Sequence, residues 1–181
     1  MKLIFLFSAL FLFQSCTDWK KPKQLDSVEV LSEKLAELEQ SYSNFEEFSS
    51  VLSTVTEVES RLIQNSNGDT LTLEFAKTLD RYSSISPDIR LIQKQIPYID
   101  SLFEIRNNGI VSLSLDIENG VGDRSKYDQN IQFEETALKE LSDLVEYCES
   151  ILQNAILNFK DLNEQVQEYS LELEKKTRNN N

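Results

Sequence analysis

Two thiols and several groups of closely spaced carboxylates are the side chains whose type and spacing suggest chemistry. Histidine is absent from all 181 residues. That removes the side chain that titrates near neutral pH and the commonest metal ligand. A triad through His is excluded, and so are the Glu-x-x-His pairs of di-iron bundles. Cys148 stands between Val145 and Leu152 in an apolar repeat, the setting of a buried, inert thiol. Cys16 differs, because it closes an apolar run and polar sequence begins at Thr17.

The carboxylate groups fall short of any known constellation. Asn65, Asn67 and Asp69 alternate as in a calcium loop, but Thr70 occupies the sixth position, which needs Gly, and Ala76 the twelfth, which needs Glu. Asp116, Glu118, Asp123 and Asp128 surround Gly120 and Gly122 without that spacing. Glu46-Glu47 and Glu134-Glu135 read as solvated helix faces. Paired carboxylates can hydrolyse glycosides without His, but one of them needs a concave pocket that raises its pKa. A narrow bundle with one Trp supplies little sugar-stacking surface. No Gly-rich phosphate loop is present. The expectation is therefore no catalytic residue, no cofactor, no metal and no enzyme activity.

Charge points the same way. The chain carries 18 Lys plus Arg against 31 Asp plus Glu, a net −13. Lys20, Lys21 and Lys23 cluster near Cys16, and Lys175, Lys176 and Arg178 at the C-terminus, so Gln24 to Glu174 holds 11 basic against 30 acidic residues. Such a body repels phosphate backbones, which disfavours nucleic-acid binding. Acidic helix faces explain the balance through solubility, and a basic partner or cations are the alternative.

The N-terminus has the three parts of an export signal. Lys2 is the positive start, and Leu3 to Phe13 is apolar except for Ser8. Eleven residues rise about 16 Å as a helix, too short to span a bilayer but the length of a signal-peptide core. Gln14-Ser15-Cys16 follows. This segment resembles the type II signal peptide of bacterial lipoprotein precursors. Their lipobox places a small residue before an invariant Cys, which is acylated before cleavage ahead of it. Ser15 and Cys16 match; Phe13 stands where Leu is usual and Gln14 where a small residue is usual. Relaxed boxes ending in Phe-Gln-Ser-Cys are similar to those of Bacteroidota. The resemblance covers about the first twenty residues and implies lipidation of Cys16. Diacylglyceryl and N-acyl chains make membrane attachment effectively permanent, where a single chain binds reversibly. Lys20, Lys21 and Lys23 can then lie against anionic head groups, and Trp19 can serve as an interfacial residue. In such lipoproteins Asp directly after the Cys favours inner-membrane retention. Thr17 stands there with Asp18 next, so the resemblance implies the outer membrane of a Gram-negative cell.

The mature chain reads as helices. With four Gly and three Pro in 181 residues, few turns are available, which favours long helices over strands. Residues 1–15 are the expected signal, 16–26 the lipidated N-terminus and tether, 27–174 a helical bundle domain and 175–181 a disordered tail. The first helix is expected from Asp26 or Ser27 to Asn65, with apolar residues from Val28 to Leu62 and a stammer between Phe45 and Phe48. Leu71, Phe75, Leu79 and Tyr82 fit a short helix, although Leu71, Leu73 and Phe75 also alternate as in a strand. Ser86-Pro87-Asp88 reads as a helix start. Pro97 is expected to kink or restart that helix, and Asn107-Asn108-Gly109 to end it. Val111, Leu113, Leu115 and Ile117 alternate with polar residues, so 110–117 is a strand candidate, with an extended segment lying across the bundle as the alternative. Glu118 to Asp128 reads as a loop.

The last helix is the clearest element. Ile131, Leu138, Val145, Leu152, Phe159, Val166 and Leu173 recur every seven residues, and Leu141, Cys148, Ala155, Leu162 and Tyr169 fill the second seam position. The fold expected is all-α: an antiparallel helical bundle in which the first and last helices form a long hairpin. The expected function is that of a lipid-anchored helical envelope protein acting by protein–protein contact. The alternative is a lipid-anchored module binding a small apolar or cationic ligand in the bundle interior.

Overall fold

Helix α1 runs Lys21–Tyr42, α2 Ser49–Asn65, α3 Leu73–Ser83, α4 Ile85–Asn119 and α5 Tyr127–Asn179. A computed structural model of the chain describes residues 19–42, 48–66 and 71–179. Among these the chain is all-α, without a strand, and its two long helices pack against each other. The long pair is α4 and α5, not the first and last helices of the sequence reading. Phe45 in the expected stammer, Glu46-Glu47, Asn67 and Asp69 lie outside the described residues, as do the signal segment and Cys16.

The described residues divide into two compact units. One combines the chain up to Leu35 with Arg106–Leu138; the other combines Ala36–Ile105 with Lys139 onward. In the first unit, Val28 and Leu31 of α1, Ile110, Leu113 and Ile117 of α4, and Tyr127 and Leu138 of α5 are buried. Arg106 meets Glu134, while the Tyr127 hydroxyl donates to the Asp116 carbonyl at 2.8 Å. Moving back along α4 thus corresponds to moving forward along α5, which is antiparallel packing.

In the second unit, Val55 and Val58 of α2, Tyr82 of α3, Ile85, Ile89, Ile92 and Ile99 of α4, and Val145, Cys148, Ala155 and Val166 of α5 are all but fully buried. Tyr42 stacks on Phe103 at 5.3 Å. The α3 helix runs antiparallel to α5: Phe75 packs edge-on against Tyr169 at 4.7 Å, and the Tyr82 hydroxyl donates to Asn163 Oδ1 at 2.8 Å. Thr72 caps α3 by accepting from the Phe75 amide, so the helical reading of 71–82 holds over the strand-like alternation.

Several boundaries differ from expectation for local reasons. Helix α1 starts at Lys21, inside the segment expected as a tether, because Pro22 is tolerated in a first helical turn. Helix α5 reaches Asn179, so 175–179 is helical and not a disordered tail. Helix α4 continues through Pro97 and Gly109 to Asn119. The strand candidate is therefore helical. Ile110, Leu113 and Ile117 share one buried helix face, while Val111 and Leu115 are 49% and 51% exposed. The expected loop from Glu118 to Asp128 is shorter: α4 holds its first two residues, a 3-10 turn spans Arg124–Lys126 and α5 begins at Tyr127. Gly120 and Gly122 in it have positive φ, 64° and 80°, which only Gly adopts cheaply.

Candidate functional site

The residue expected to carry lipid, Cys16, is outside the described residues; from Lys20 onward the chain is held against the end of α4 and the start of α5. Gln24 is buried, and its Nε2 donates to Asp128 Oδ1 at 2.6 Å. Lys20 Nζ reaches Asp128 Oδ2 at 2.9 Å, and Lys21 Nζ donates to the Glu118 carbonyl at 2.7 Å. The Gln24 and Lys20 bonds hold the Asp128 carboxyl below its ordinary range, with the Gln24 bond the largest cause. Two of the lysines expected at a head-group surface are thus also bound within the protein. Trp19 is 82% exposed.

The loop carboxylates are separated into different structural tasks. Asp123 Oδ1 caps the 3-10 turn Arg124–Lys126 through the Ser125 amide and hydroxyl. Asp116 and Glu118 lie on the last turns of α4. Asn65 Nδ2 turns back to the Arg61 carbonyl at 2.8 Å. Among the described residues, no three His, Cys, Asp or Glu side chains are placed to hold a metal, and no helix is long and apolar enough to cross a membrane.

Cys148 is buried in the second unit, and burial pushes its thiol pKa up. The thiolate needed for nucleophilic chemistry is thereby disfavoured. Nearby Tyr42 donates to Asp100 Oδ1 at 2.9 Å, and burial together with that carboxylate raises the phenol pKa.

Glu134 is not a solvated face. Its side chain is 12% exposed and its Oε2 lies 2.9 Å from Arg106 Nη1, whose side chain is 15% exposed. Arg106 also lies over the Phe133 ring, 5.7 Å from its centroid. A signal for this pair existed in the sequence. Extending the α5 seam back one heptad from Leu141 places Glu134 on the seam itself.

Two solvent-open grooves among the described residues are concave features that sequence patterns do not reveal. In the first unit, α1 and α4 flank a groove of about 390 Å³ lined by Leu25, Val28, Glu29, Ile110, Val111 and Leu115, among others. In the second unit, α2 and α4 flank a groove of about 600 Å³ that presents Ser53, Thr56, Glu57, Arg61, Arg90 and Gln93. There Arg61 Nη2 lies 3.6 Å from Glu57, Arg90 Nε donates to Ser86 Oγ at 3.2 Å, and Arg61 Nε is buried with no partner among the described residues. Glu59, close to Arg90, has a raised pKa because burial outweighs the pull of Ser86 and Arg90. Both grooves expose mainly apolar surface; the second adds cations and a carboxylate, and the first adds Ser32, Ser114 and the carboxylate of Glu29.

No protein-family model matches the chain, and neither does any curated protein or solved structure.

Proposed function

We propose that this chain is a lipid-anchored helical protein of the cell envelope that acts by protein–protein contact, as an adaptor, spacer or accessory subunit. The anchoring part rests on the sequence: the Leu3–Phe13 run, Ser15 and Cys16 match a lipoprotein signal, and Thr17 after the Cys favours the outer membrane of a Gram-negative bacterium. No catalytic step belongs to this proposal.

One observation carries the contact part. Val111 and Leu115 stand one turn apart on α4, about half exposed, beside the groove lined by Leu25, Val28 and Ile110. Exposed apolar surface rimmed by polar residues marks interaction sites, and its burial is worth roughly 25 cal/mol per Å². The groove is open, while sites for small molecules enclose most of the ligand surface. This supports contact with a surface over capture of a small apolar ligand. The arginines of the second groove do not suit a cationic one.

The test has two arms. Cells expressing the full chain are labelled with an alkyne fatty acid and compared with a Cys16→Ser variant. Label is expected on the native chain alone. A Ser variant that still partitions with membranes once its signal is removed would show that the anchor lies elsewhere. Photocrosslinkers placed across the exposed surface are then activated in the native envelope, and protein adducts are expected. A complete lack of protein adducts from every position would remove the contact proposal.

A further inference from the structure

We propose that the groove between α1 and α4 in the first unit is the docking site for a basic amphipathic helix of a partner protein. This rests on the contact proposal above and names its surface and the chemistry of its partner. The groove's α1 wall, from Leu25 to Ser32, covers two helical turns. Its apolar lining comes from Leu25 and Val28 on one side and Ile110, Val111 and Leu115 on the other. A groove of that length and composition suits a helix presenting apolar residues at i, i+3 or i+4, and i+7.

The edges determine the charge of the partner. Glu29 lines the groove, and Asp26 and Glu33 stand one turn to either side of it on α1, all three exposed. Among the described residues none of these carboxylates is paired with a cation. Of the nearby cations, Lys20 is engaged with Asp128, Lys21 with the Glu118 carbonyl and Arg106 with Glu134; Lys23 and Lys34 are exposed on α1 about 100° or more around the helix from Glu29, away from the groove wall of Leu25, Val28 and Ser32. Lys or Arg flanking the partner's apolar stripe would meet this acidic edge. The same edge repels an anionic lipid surface, and it repels a second copy of a chain whose net charge is −13.

The direct test uses the full mature chain in uncharged detergent and two designed helical peptides of about 18 residues. The peptides share one leucine stripe, and their flanks are Lys in one and Glu in the other. The Lys-flanked peptide is expected to bind at least about tenfold more tightly and to weaken with salt. Leu115→Asp should cost at least about tenfold in affinity, and Glu29→Lys with Glu33→Lys should reverse the peptide preference. These positions are exposed, and unchanged helicity by circular dichroism checks that the variants fold. Equal binding of both peptides, undiminished binding to Leu115→Asp, or binding to anionic vesicles in place of the peptides overturns the proposal. In the native envelope, a photocrosslinker at Val111 should trap a Lys- or Arg-rich amphipathic helix. An adduct with another copy or with an acidic segment, or no adduct at Val111 while other positions trap proteins, overturns this surface and leaves the contact proposal standing. No adduct from any position removes both.

Discussion

Glu134 on α5 and Arg106 on α4 form an ion pair at 2.9 Å with both side chains largely withdrawn from water. Desolvation offsets much of the attraction in such a pair, so its removal as a whole costs little, while removal of one partner strands a charge. Glu134→Ala alone should destabilise the chain by about 3 kcal/mol. Replacing both residues together, Arg106→Met with Glu134→Leu, should recover most of that loss. Urea unfolding of the three chains, native, single and double variant, made without residues 1–16, decides it. Equal losses in the single and double variants would mean that the pair contributes through packing and not through charge.

Gly109 explains how that pair fits. A methyl group added at Gly109 would lie 2.7 Å from Glu134 Oε1. Replacing Gly with Ala inside a helix ordinarily gains about 1 kcal/mol. Here the carboxylate would have to swing away and weaken its bond to Arg106. Gly109→Ala should therefore gain less than half of the ordinary amount in the native background and the full amount in Glu134→Ala. A double-mutant cycle measures that coupling, and a coupling of zero would show that the close approach is without consequence.

The α5 seam carries the fold. Leu152 is 6% exposed on it, whereas Asn154 is on the solvent side. Leu152→Asp would bury an unpaired charge, against a total stability of only about 5–15 kcal/mol for a domain. Its thermal midpoint should fall sharply, and Asn154→Asp should be nearly silent. Comparable melting of the two, followed by circular dichroism, would show that the seam is not a packed interface.

Cys148 should react slowly with alkylating agents in the native protein at neutral pH and at full rate in urea. Burial raises its pKa, so at any given pH less thiolate is present than on an exposed Cys. Cys148→Ala should leave partner binding intact and cost about 1 kcal/mol through a small cavity. Fast labelling of the native chain would contradict this.

Asp128 makes a separable contribution to acid stability. Its folded pKa is lowered below the ordinary 3.8 by Gln24 and Lys20. A depressed carboxyl stabilises the fold above its unfolded pKa, and that stability is lost as pH falls through the lower folded value. Glu59 and Asp88 have raised pKa values and act with the opposite sign, so the comparison must be with Asp128→Asn. The variant should be less stable at pH 7, and the difference should shrink as pH falls below about 4. A difference independent of pH would mean that the charge of Asp128 does not matter.

The sequence by itself determined the features that depend on sustained periodicity and on local covalent signals. The seven-residue repeat of α5 reads over five heptads, and its positions from Leu138 to Leu173 are buried or half-buried as the period requires. The end of α2 at Asn65, the helical nature of Leu73–Ser83 and the glycine turn before α5 were equally legible, since each follows from neighbouring residues. The expectation of lipid on Cys16 likewise comes from a contiguous segment.

Tertiary structure alone decided between patterns that coincide. In residues 110–117, Leu113 and Ile117 belong both to the alternating set and to a helical face. Packing chose the helix, burying Ile110 with them and leaving Val111 and Leu115 half exposed. Asn107-Asn108-Gly109 looks like a helix stop, yet Gly109 serves a carboxylate 25 positions away, a constraint invisible in its own neighbourhood. Glu134 looked solvated because charge usually is; only an arginine brought to 2.9 Å by antiparallel packing makes its burial affordable. The two grooves belong to the same class of feature. Their walls come from helices distant in sequence, so no local pattern could reveal them.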